Sequence, residues 1–409
     1  MHHSFGRLKT ACYLSNISMS VVGNLPPLLF LTFRSLYGIS FSLLGLLILI
    51  NFVTQLTIDL IFSFFSHKFN ISKTVKSIPI LTILGLLVYS LWPVFLPQYA
   101  YAGLVTGTVI FSLSSGLVEV LLSPIIAALP ADDPDREVSK LHSIYAWGVV
   151  AVILISTLYL LIFGGENWYY LTLLFALVPL GSAILFAGSQ LPPMESPQQT
   201  SGIATLFKTK GLWLCVIAIF LGGASECTMA QWVSGYLEQA MGIPKVWGDV
   251  FGVAVFALML GLGRTLYAKK GKDVTRVLLW GAVGAAGCYL IAAVSSIPLV
   301  GLFACGFTGF CVSMLWPGCL IAAADRIPHG GVFLYAMMAA GGDLGASVSP
   351  QIIGIVTDAA ISSPAIRTLA QNLSLAPEAL GMKLGMLVGM LFPIAAIGVY
   401  AHMRKTRPK

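Results

Sequence analysis

Charged side chains are scarce in this sequence of 409 residues. Aspartate, glutamate, lysine and arginine together make up 10% of it, whereas a typical soluble domain carries about 25%. Hydrophobic residues reach 57%, and the mean hydropathy is +0.89. The composition excludes a soluble globular domain and predicts an integral membrane protein.

Residues that carry enzyme chemistry are also sparse or badly placed. The six histidines are scattered without metal-ligand spacing, and the seven cysteines all lie in apolar runs. The sequence contains no glycine-rich loop of the kind that binds phosphate. These absences predict no enzymatic activity, no metal, no cofactor and no motor driven by ATP.

What the sequence does have is a series of long apolar runs. A membrane-spanning helix needs about 20 apolar residues, and we count twelve such runs, with a loop of about 25 residues expected before the last one. Most of the 23 lysines and arginines fall at alternate ends of the predicted spans, and cytoplasmic loops are the ones enriched in these residues. The pattern predicts a multi-pass protein of the cell membrane with both termini in the cytoplasm. It favours the lipid bilayer, and not nucleic acid, as the partner of the net positive charge.

The twelve runs divide into two sets of six. The connection QLPPMESPQQTSGIATLFKTK is the longest polar stretch, so we predict an N-terminal half over residues 1–190, a cytoplasmic linker over 191–210 and a C-terminal half over 211–409. Gly116–Pro124 also resembles Gly309–Pro317. Repeated six-helix halves are typical of transporters, which bind their substrate near mid-membrane between the repeats. The predicted fold class is an all-α membrane protein of twelve helices in two halves, and we expect a monomer.

One carboxylate in the fourth run, Glu119, needs an explanation because an ionised group at bilayer depth costs roughly 3 kcal/mol on insertion scales. At helical spacing, small and polar residues share its face: Ser112, Ser115, Gly116 and Ser123. We predict that Glu119 carries a proton or accepts a hydrogen bond from a substrate. The alternative is a structural glutamate that the serines hold in place.

The seventh run, GGASECTMAQWVSGYLEQ, is the most polar of the spans. We assign Glu226, Gln231, Trp232 and Tyr236 to a substrate cavity, because aromatic faces together with amide and carboxylate groups suit sugars and similar polyols. The alternative for the two aromatic residues is packing between helices or an interfacial belt. Asp343 in GGDLGASVSP fits a proton-coupling role and a structural one equally well.

Three further polar residues lie near the predicted cytoplasmic ends of the spans. Asp59 follows Asn51 and Gln55 at four-residue steps, which suggests a polar clamp or a gate. His142 stands at the start of the fifth run, either as a proton relay or as a helix-end histidine with satisfied hydrogen bonds. Arg264 ends the eighth run, and we expect it to pair with an acid or to cap carbonyl groups at a gate.

The layout resembles the major facilitator superfamily, which has twelve spans in two halves and basic loops after helices 2 and 8. GLGRTLYAKKGK keeps the glycine and arginine of that family's loop motif as Gly263 and Arg264, and Arg264 is similar to the family's gating arginine. GLVEVLLSP is similar to helix 4 of the fucose/galactose/glucose proton symporter branch, where a glutamate also stands five residues before a proline.

That resemblance implies proton coupling through Glu119 and substrate contacts in the first helix, whose VVGNLPPLL follows the branch's pattern around Asn24. We also place Trp316 among the substrate contacts. The sequence departs from the branch at Pro27, where the branch has an aspartate that takes part in proton coupling; Glu226 or Asp343 could replace that acid.

The sequence therefore predicts a secondary active transporter in which two halves rock around a mid-membrane cavity. A symporter that moves a small polar solute, such as a sugar, together with protons fits these residues best. Two alternatives stay open. One is an exporter that exchanges amphipathic compounds for protons, and the other is a transporter-like sensor that has lost transport.

Overall fold

The computed structural model describes residues 2–65, 68–130, 134–192, 208–270, 273–327 and 331–406. Helices dominate these ranges, and no strand occurs within them. Eleven helical segments of the described chain are long and apolar enough to cross a membrane, and a bent pair at the N-terminus makes a possible twelfth span. This confirms the predicted fold class.

The first half of the chain supplies eight helices. Their bounds are α1 His2–Leu28, α2 Phe30–Tyr37, α3 Phe41–Phe65, α4 Ile71–Phe95, α5 Ala100–Ala127, α6 Pro134–Phe163, α7 Trp168–Phe175 and α8 Leu177–Ala187.

The second half supplies nine more helices within the described ranges. Their bounds are α9 Lys210–Met241, α10 Val255–Lys270, α11 Val274–Val294, α12 Pro298–Val312, α13 Pro317–Arg326, α14 Gly331–Ser362, α15 Pro364–Asn372, α16 Pro377–Gly389 and α17 Leu391–Lys405. A short turn, Lys245–Trp247, and a π-helical segment, Gly248–Ala254, lead into α10.

Local sequence explains several of the helix ends. The side chain of Asn70 accepts a hydrogen bond from the backbone N–H of Lys73 and so caps the start of α4, as short polar side chains do at helix N-termini. Gly242 ends α9 with a φ of +65°, a left-handed conformation that glycine adopts without steric cost. The first span breaks where its sequence predicts, because α1 and α2 meet at a bend of 52° just after Pro26 and Pro27.

The helices form two compact units. One comprises Met1–Ile39 and Ile50–Gln198, and the other comprises Ser40–Leu49 and Gln199–Lys409. The first turns of α3 therefore cluster with the C-terminal unit, while the rest of α3 belongs to the N-terminal unit. In the N-terminal unit, a fully apolar cluster packs α5 against neighbouring helices; Leu122 and Ile125 of α5, Leu8, Ile78 and Phe186 are completely buried in it.

The sequence repeat has a structural counterpart in each unit. A Cβ atom added to Gly116 of α5 would meet Ile58 of α3 at 2.8 Å, and one added to Gly309 of α12 would meet the carbonyl oxygen of Phe256 in α10 at 2.1 Å. Each matched glycine thus lets its helix approach another helix of the same unit closely. The repeats differ further on, because α5 continues past Pro124 whereas the helix after Gly309 breaks at residues 313–316, just before Pro317.

The connection between the last two spans differs from its predicted structure. The stretch before the last span was expected to be a loop of about 25 residues, but it contains helix α15. The hydroxyl of Ser363 accepts a hydrogen bond from the backbone N–H of Ile366, and Pro364 occupies the first helical position. A serine followed by proline is a recognised helix start, and this signal was available in the sequence.

An ion pair in the N-terminal unit joins α1 to α6. Lys9 contacts Glu137, and the hydroxyl of Tyr13 donates to Glu137 Oε2 at 3.3 Å. The hydrogen bond from Lys9 keeps the pKa of the Glu137 carboxyl below its ordinary value, and the nearby charges of Lys9 and Lys140 act in the same direction. Because both partners are partly exposed, the pair is expected to stabilise the fold by less than about 1 kcal/mol.

The Glu137→Gln variant is therefore expected to be slightly less stable than the natural protein in a pH-dependent way. A carboxyl whose pKa is lowered by folding stabilises the fold above its ordinary pKa, and this contribution disappears as the pH falls through the lowered pKa. The difference in thermal midpoint between the two proteins, followed by tryptophan fluorescence, should be present at neutral pH and vanish in acid. A difference that grows on acidification would contradict the pairing.

Candidate functional site

Glu119 lies on an open face of α5. Its side chain is exposed, whereas the adjacent Leu117, Val118 and Leu121 are buried. One turn earlier, Gly116 packs against Ile58 of α3, the residue before Asp59. The carboxyl groups of Asp59 and Glu119 therefore lie in the same region of the N-terminal unit. The structure therefore brings together two acids that the sequence analysis treated separately, one as a proton carrier and the other as a gate.

A polar network extends from this acid pair between the same two helices. Ser112 of α5 donates its hydroxyl hydrogen to Asn51 Oδ1 at 2.6 Å, and Gln55 Nε2 lies 3.5 Å from the carbonyl oxygen of Asn51. Asp59 Oδ1 is buried and accepts no hydrogen bond from the part of the chain that the structure describes. Buried carboxylate oxygens are normally hydrogen-bonded. This oxygen is therefore available to a proton, a water molecule or a solute.

Two other predicted residues of the N-terminal unit add little to this cluster. Asn24 is half-buried, and its amide donates to the carbonyl of Ser20 one turn earlier in α1 at 2.9 Å. That hydrogen bond uses one of the two amide hydrogens of Asn24, and the side-chain oxygen takes no part in it. His142 lies in α6, but its side chain falls outside the described residues.

The C-terminal unit contains a second charged cluster around Arg264. Pro317 has no N–H group, so the carbonyl of Ser313, four residues earlier, loses its partner within the helix. Arg264 Nε donates to this carbonyl at 3.0 Å, and its Nη2 lies 3.5 Å from Glu226 Oε1. Arg264 thus contacts both an acid and a backbone carbonyl group in this structure, and its role at a gate stays a prediction.

Glu226 is only partly satisfied by that contact. Its side chain is 16% exposed, and its second oxygen is buried without a hydrogen-bond partner among the described residues. Asp343 is buried on α14. The preceding residue, Gly342, lies against Gly223 of α9, one turn before Glu226. The C-terminal unit thus gathers two acids and one cation in the same region.

Trp316 stands in the break between α12 and α13, beside the same region. Its ring lies so close to α9 and α14 that a Cβ atom at Gly342 would be 2.5 Å from it and one at Gly223 would be 2.9 Å from it. The two glycines therefore make the space that the indole occupies. The half-buried ring packs on Gly342, the residue before Asp343 in the sequence. Trp316 therefore remains in the candidate site.

Trp232 and Tyr236 do not line an open site. Both are almost completely buried; the indole N–H of Trp232 donates to the carbonyl of Pro350 at 3.0 Å, and the hydroxyl of Tyr236 donates to the carbonyl of Ala292 at 2.5 Å. Because the polar tip of each ring is already bonded to backbone, this geometry favours the alternative of interhelical packing. Gln231, on another face of α9, is half-buried.

One ion pair with a buried acid was not predicted from the sequence. Lys245 Nζ lies 3.1 Å from Asp249 Oδ2 across the turn that leads into α10, and the hydroxyl of Ser234 donates to Asp249 Oδ1 at 2.5 Å. Asp249 is fully buried. The four-residue spacing of Lys245 and Asp249 is typical of a helical ion pair and could have indicated it.

Three solved structures of similar fold are those of membrane transporters. A bacterial homologue of the human lysosomal transporter Spinster, in an inward-facing and occupied conformation, has 14% identity and a TM-score of 0.71 over 99% of this chain and 97% of its own. A D-xylose–proton symporter has 15% identity and a TM-score of 0.71 over 95% and 97%. A nucleoside transporter has 10% identity and a TM-score of 0.73 over 97% and 99%. Identities this low establish the fold alone.

The amino-acid sequence itself decides the family. No curated protein matches the chain. The profile of the Major Facilitator Superfamily, however, matches residues 12–350, which is most of the chain. Together with the structural neighbours, this match identifies a membrane transporter and not an enzyme, as the sequence predicted, and the chain belongs to the Major Facilitator Superfamily.

Proposed function

We propose that the protein is a secondary active transporter that moves a small polar solute together with protons, and that sugars are the first solutes to test. The observation that carries the proposal is the position of Glu119, an exposed acid in a spanning helix, one turn after the contact of Gly116 with Ile58, the residue before Asp59. The D-xylose–proton symporter among the structures of similar fold supports this choice of solute.

The chemistry of the pair suits coupling. Two carboxylates at bilayer depth repel each other, and the repulsion is relieved when one of them carries a proton. The protonated acid can then donate a hydrogen bond to a solute oxygen while the other acid accepts one from a hydroxyl group. Loss of the proton restores the repulsion and weakens the solute's site. Binding of proton and solute would thus favour each other.

This assignment also addresses the missing acid of the first helix. Pro27 stands where the fucose/galactose/glucose branch has an aspartate, and the sequence suggested Glu226 or Asp343 as a replacement. Asp59 is the better candidate because it follows Ile58, the residue that packs against Gly116 one turn before Glu119. Glu226, Asp343 and Trp316 then contribute the solute contacts of the C-terminal unit. We further propose that the protein belongs to the fucose/galactose/glucose symporter branch and that it is a monomer. We also propose that it lies in the cell membrane with both termini on the cytoplasmic side.

The Glu119→Gln variant tests the coupling in proteoliposomes. Uptake of a panel of radiolabelled monosaccharides that includes D-xylose is measured with an inward proton gradient and with none. The natural protein should accumulate at least one sugar against its gradient. In the variant, which keeps the shape of the side chain but cannot titrate, accumulation should fall about tenfold or more, while passive equilibration persists.

Glu137→Gln is the matched control, because Glu137 is an acid outside the spans and pairs with Lys9. Its uptake should equal that of the natural protein. Full proton-driven accumulation by Glu119→Gln would remove Glu119 from the mechanism. Depletion of solute by an inward proton gradient would indicate the exporter, and binding without flux would indicate the sensor.

A further inference from the structure

The first turn of α3 is held by a carboxylate from another helix. Asp358, near the end of α14, accepts hydrogen bonds from the backbone N–H of Phe41 at 3.1 Å and of Ser42 at 2.6 Å. It also accepts one from the hydroxyl of Ser42 at 2.5 Å. The hydroxyl oxygen of Ser40 accepts a hydrogen bond from the next backbone N–H, that of Leu43, at 3.3 Å. The first N–H groups of a helix have no partner within it, so Asp358 caps α3 from outside.

Glycine brings the two helix backbones together at the same place. A Cβ atom on Gly354 of α14 would lie 2.3 Å from the carbonyl oxygen of Phe41. One on Gly45 of α3 would lie 3.0 Å from the Cα atom of Gln351 and from the carbonyl oxygen of Pro350. Both helices thus carry a glycine where any side chain would separate them. Close approach of this kind is how small residues join helices in membranes.

Apolar packing completes the contact. Phe41 and Leu44 are fully buried, and Leu47 and Ile48 are 2% and 4% exposed. The ring of Phe41 lies 6.0 Å from that of Trp232, the residue whose indole N–H is bonded to Pro350. This explains why the start of α3 clusters with the C-terminal unit although the helix continues into the N-terminal one.

We propose that Asp358 is a latch that fastens residues 40–49 of α3 to α14 and that opens as one cooperative step in the transport cycle. The inference rests on the transport of the proposed function but not on its proton site. Because α3 has residues in both units, a transport cycle that moves α3 must either bend the helix or detach this end. The end near Asp358 is held by three hydrogen bonds that this one carboxylate accepts, so its release requires their loss.

Hydrogen exchange of the full chain in lipid nanodiscs, read by mass spectrometry, tests the latch in the Asp358→Asn variant. Asparagine has nearly the same volume as aspartate. Its amide, however, places N–H groups opposite the donors whose hydrogen bonds Asp358 accepts. Exchange of residues 43–49 of α3 and of 350–357 of α14 should accelerate together by about tenfold or more, because both surfaces become exposed when the latch opens. Ser42→Ala, which removes one of the three hydrogen bonds, should give a smaller acceleration in the same two segments.

Asp273→Asn is the matched control. Asp273 also caps a helix, because its Oδ1 accepts from the backbone N–H of Arg276 at 3.2 Å, but it caps its own helix α11. It should change exchange only at the start of α11. If Asp358→Asn is monodisperse on gel filtration and changes exchange only at Phe41 and Ser42, Asp358 is a simple cap and the latch is refuted. Hydrogen exchange is measured without solute. If Glu119→Gln has normal proton-driven uptake, the proposed proton site is refuted, but the exchange result for Asp358→Asn still tests the latch.

Discussion

Valine at position 309 is expected to leave little or no folded protein. A Cβ atom there would lie 2.1 Å from the carbonyl oxygen of Phe256 and 2.9 Å from its carbonyl carbon. These are backbone atoms of α10, which cannot rotate away as a side chain would. Relief of the clash requires α10 and α12 to separate and to lose their packing, at a cost of about 3 kcal/mol or more. The measurement is the monodisperse fraction of Gly309→Val on fluorescence-detected gel filtration.

Gly287→Val is the control for that experiment. Gly287 lies on the neighbouring helix α11, and a Cβ atom there meets no atom within 4 Å. The control should elute like the natural protein. The repeat partner of Gly309 provides a graded case, because a Cβ atom on Gly116 would meet first the side chain of Ile58, at 2.8 Å. Gly116→Val should lose less folded protein than Gly309→Val; an equal, normal yield for all three variants would contradict the close approach of α10 and α12.

Hydropathy and local signals were enough to predict the fold. The number of spans follows from runs of apolar residues, and the bend in the first span follows from Pro26 and Pro27. Both depend on chemistry within one stretch of chain: the length needed to cross a bilayer and the missing N–H of proline. The helix α15 was missed for a different reason. Its capping serine and following proline were present, but the segment was judged only by its lack of a long apolar run.

The candidate site shows where such reasoning stops. Helical periodicity placed Glu119 among small polar residues on one face of α5 and Asp59 one turn after Gln55 on α3. It could not predict that the two acids lie in the same region, since this depends on the close approach of α3 and α5 that Gly116 allows. The contribution of Asp358 was invisible for the same reason: it acts on Phe41 and Ser42, which are hundreds of residues away in sequence.

Aromatic residues were the least predictable part of the site. Trp232 and Tyr236 lie in a polar span, and the same pattern suits a sugar cavity or a packed interface. Which of the two holds depends on whether a backbone carbonyl of another helix lies within reach of the polar tip. For Trp232 that carbonyl belongs to Pro350 and for Tyr236 to Ala292, and no local rule links those positions.

The Arg264→Met variant is expected to show the largest functional loss, because one side chain satisfies two groups that are otherwise unpartnered. Methionine keeps part of the length of the side chain but leaves the carbonyl of Ser313, which Pro317 deprives of its helical donor, without a hydrogen bond. It also leaves the charge of Glu226 without its cation. Since the Arg264 side chain is 44% exposed, we expect a loss of about 2 kcal/mol in stability, below the 3–5 kcal/mol typical of a fully buried pair. Proton-driven uptake should fall about a hundredfold.

The double variant Arg264→Met/Glu226→Gln separates the two contributions. Removal of the stranded charge should restore most of the thermal midpoint, because an uncompensated buried charge costs more than the absence of the pair. Uptake should stay low, because both charged groups of the candidate site are then gone. Arg264→Lys should lie between the natural protein and Arg264→Met, since an ammonium group can balance Glu226 but lacks the planar fork that reaches Ser313 at the same time. A double variant no more stable than Arg264→Met would mean that Glu226 is not held by this arginine, and the C-terminal cluster would then have to be organised around Asp343 instead.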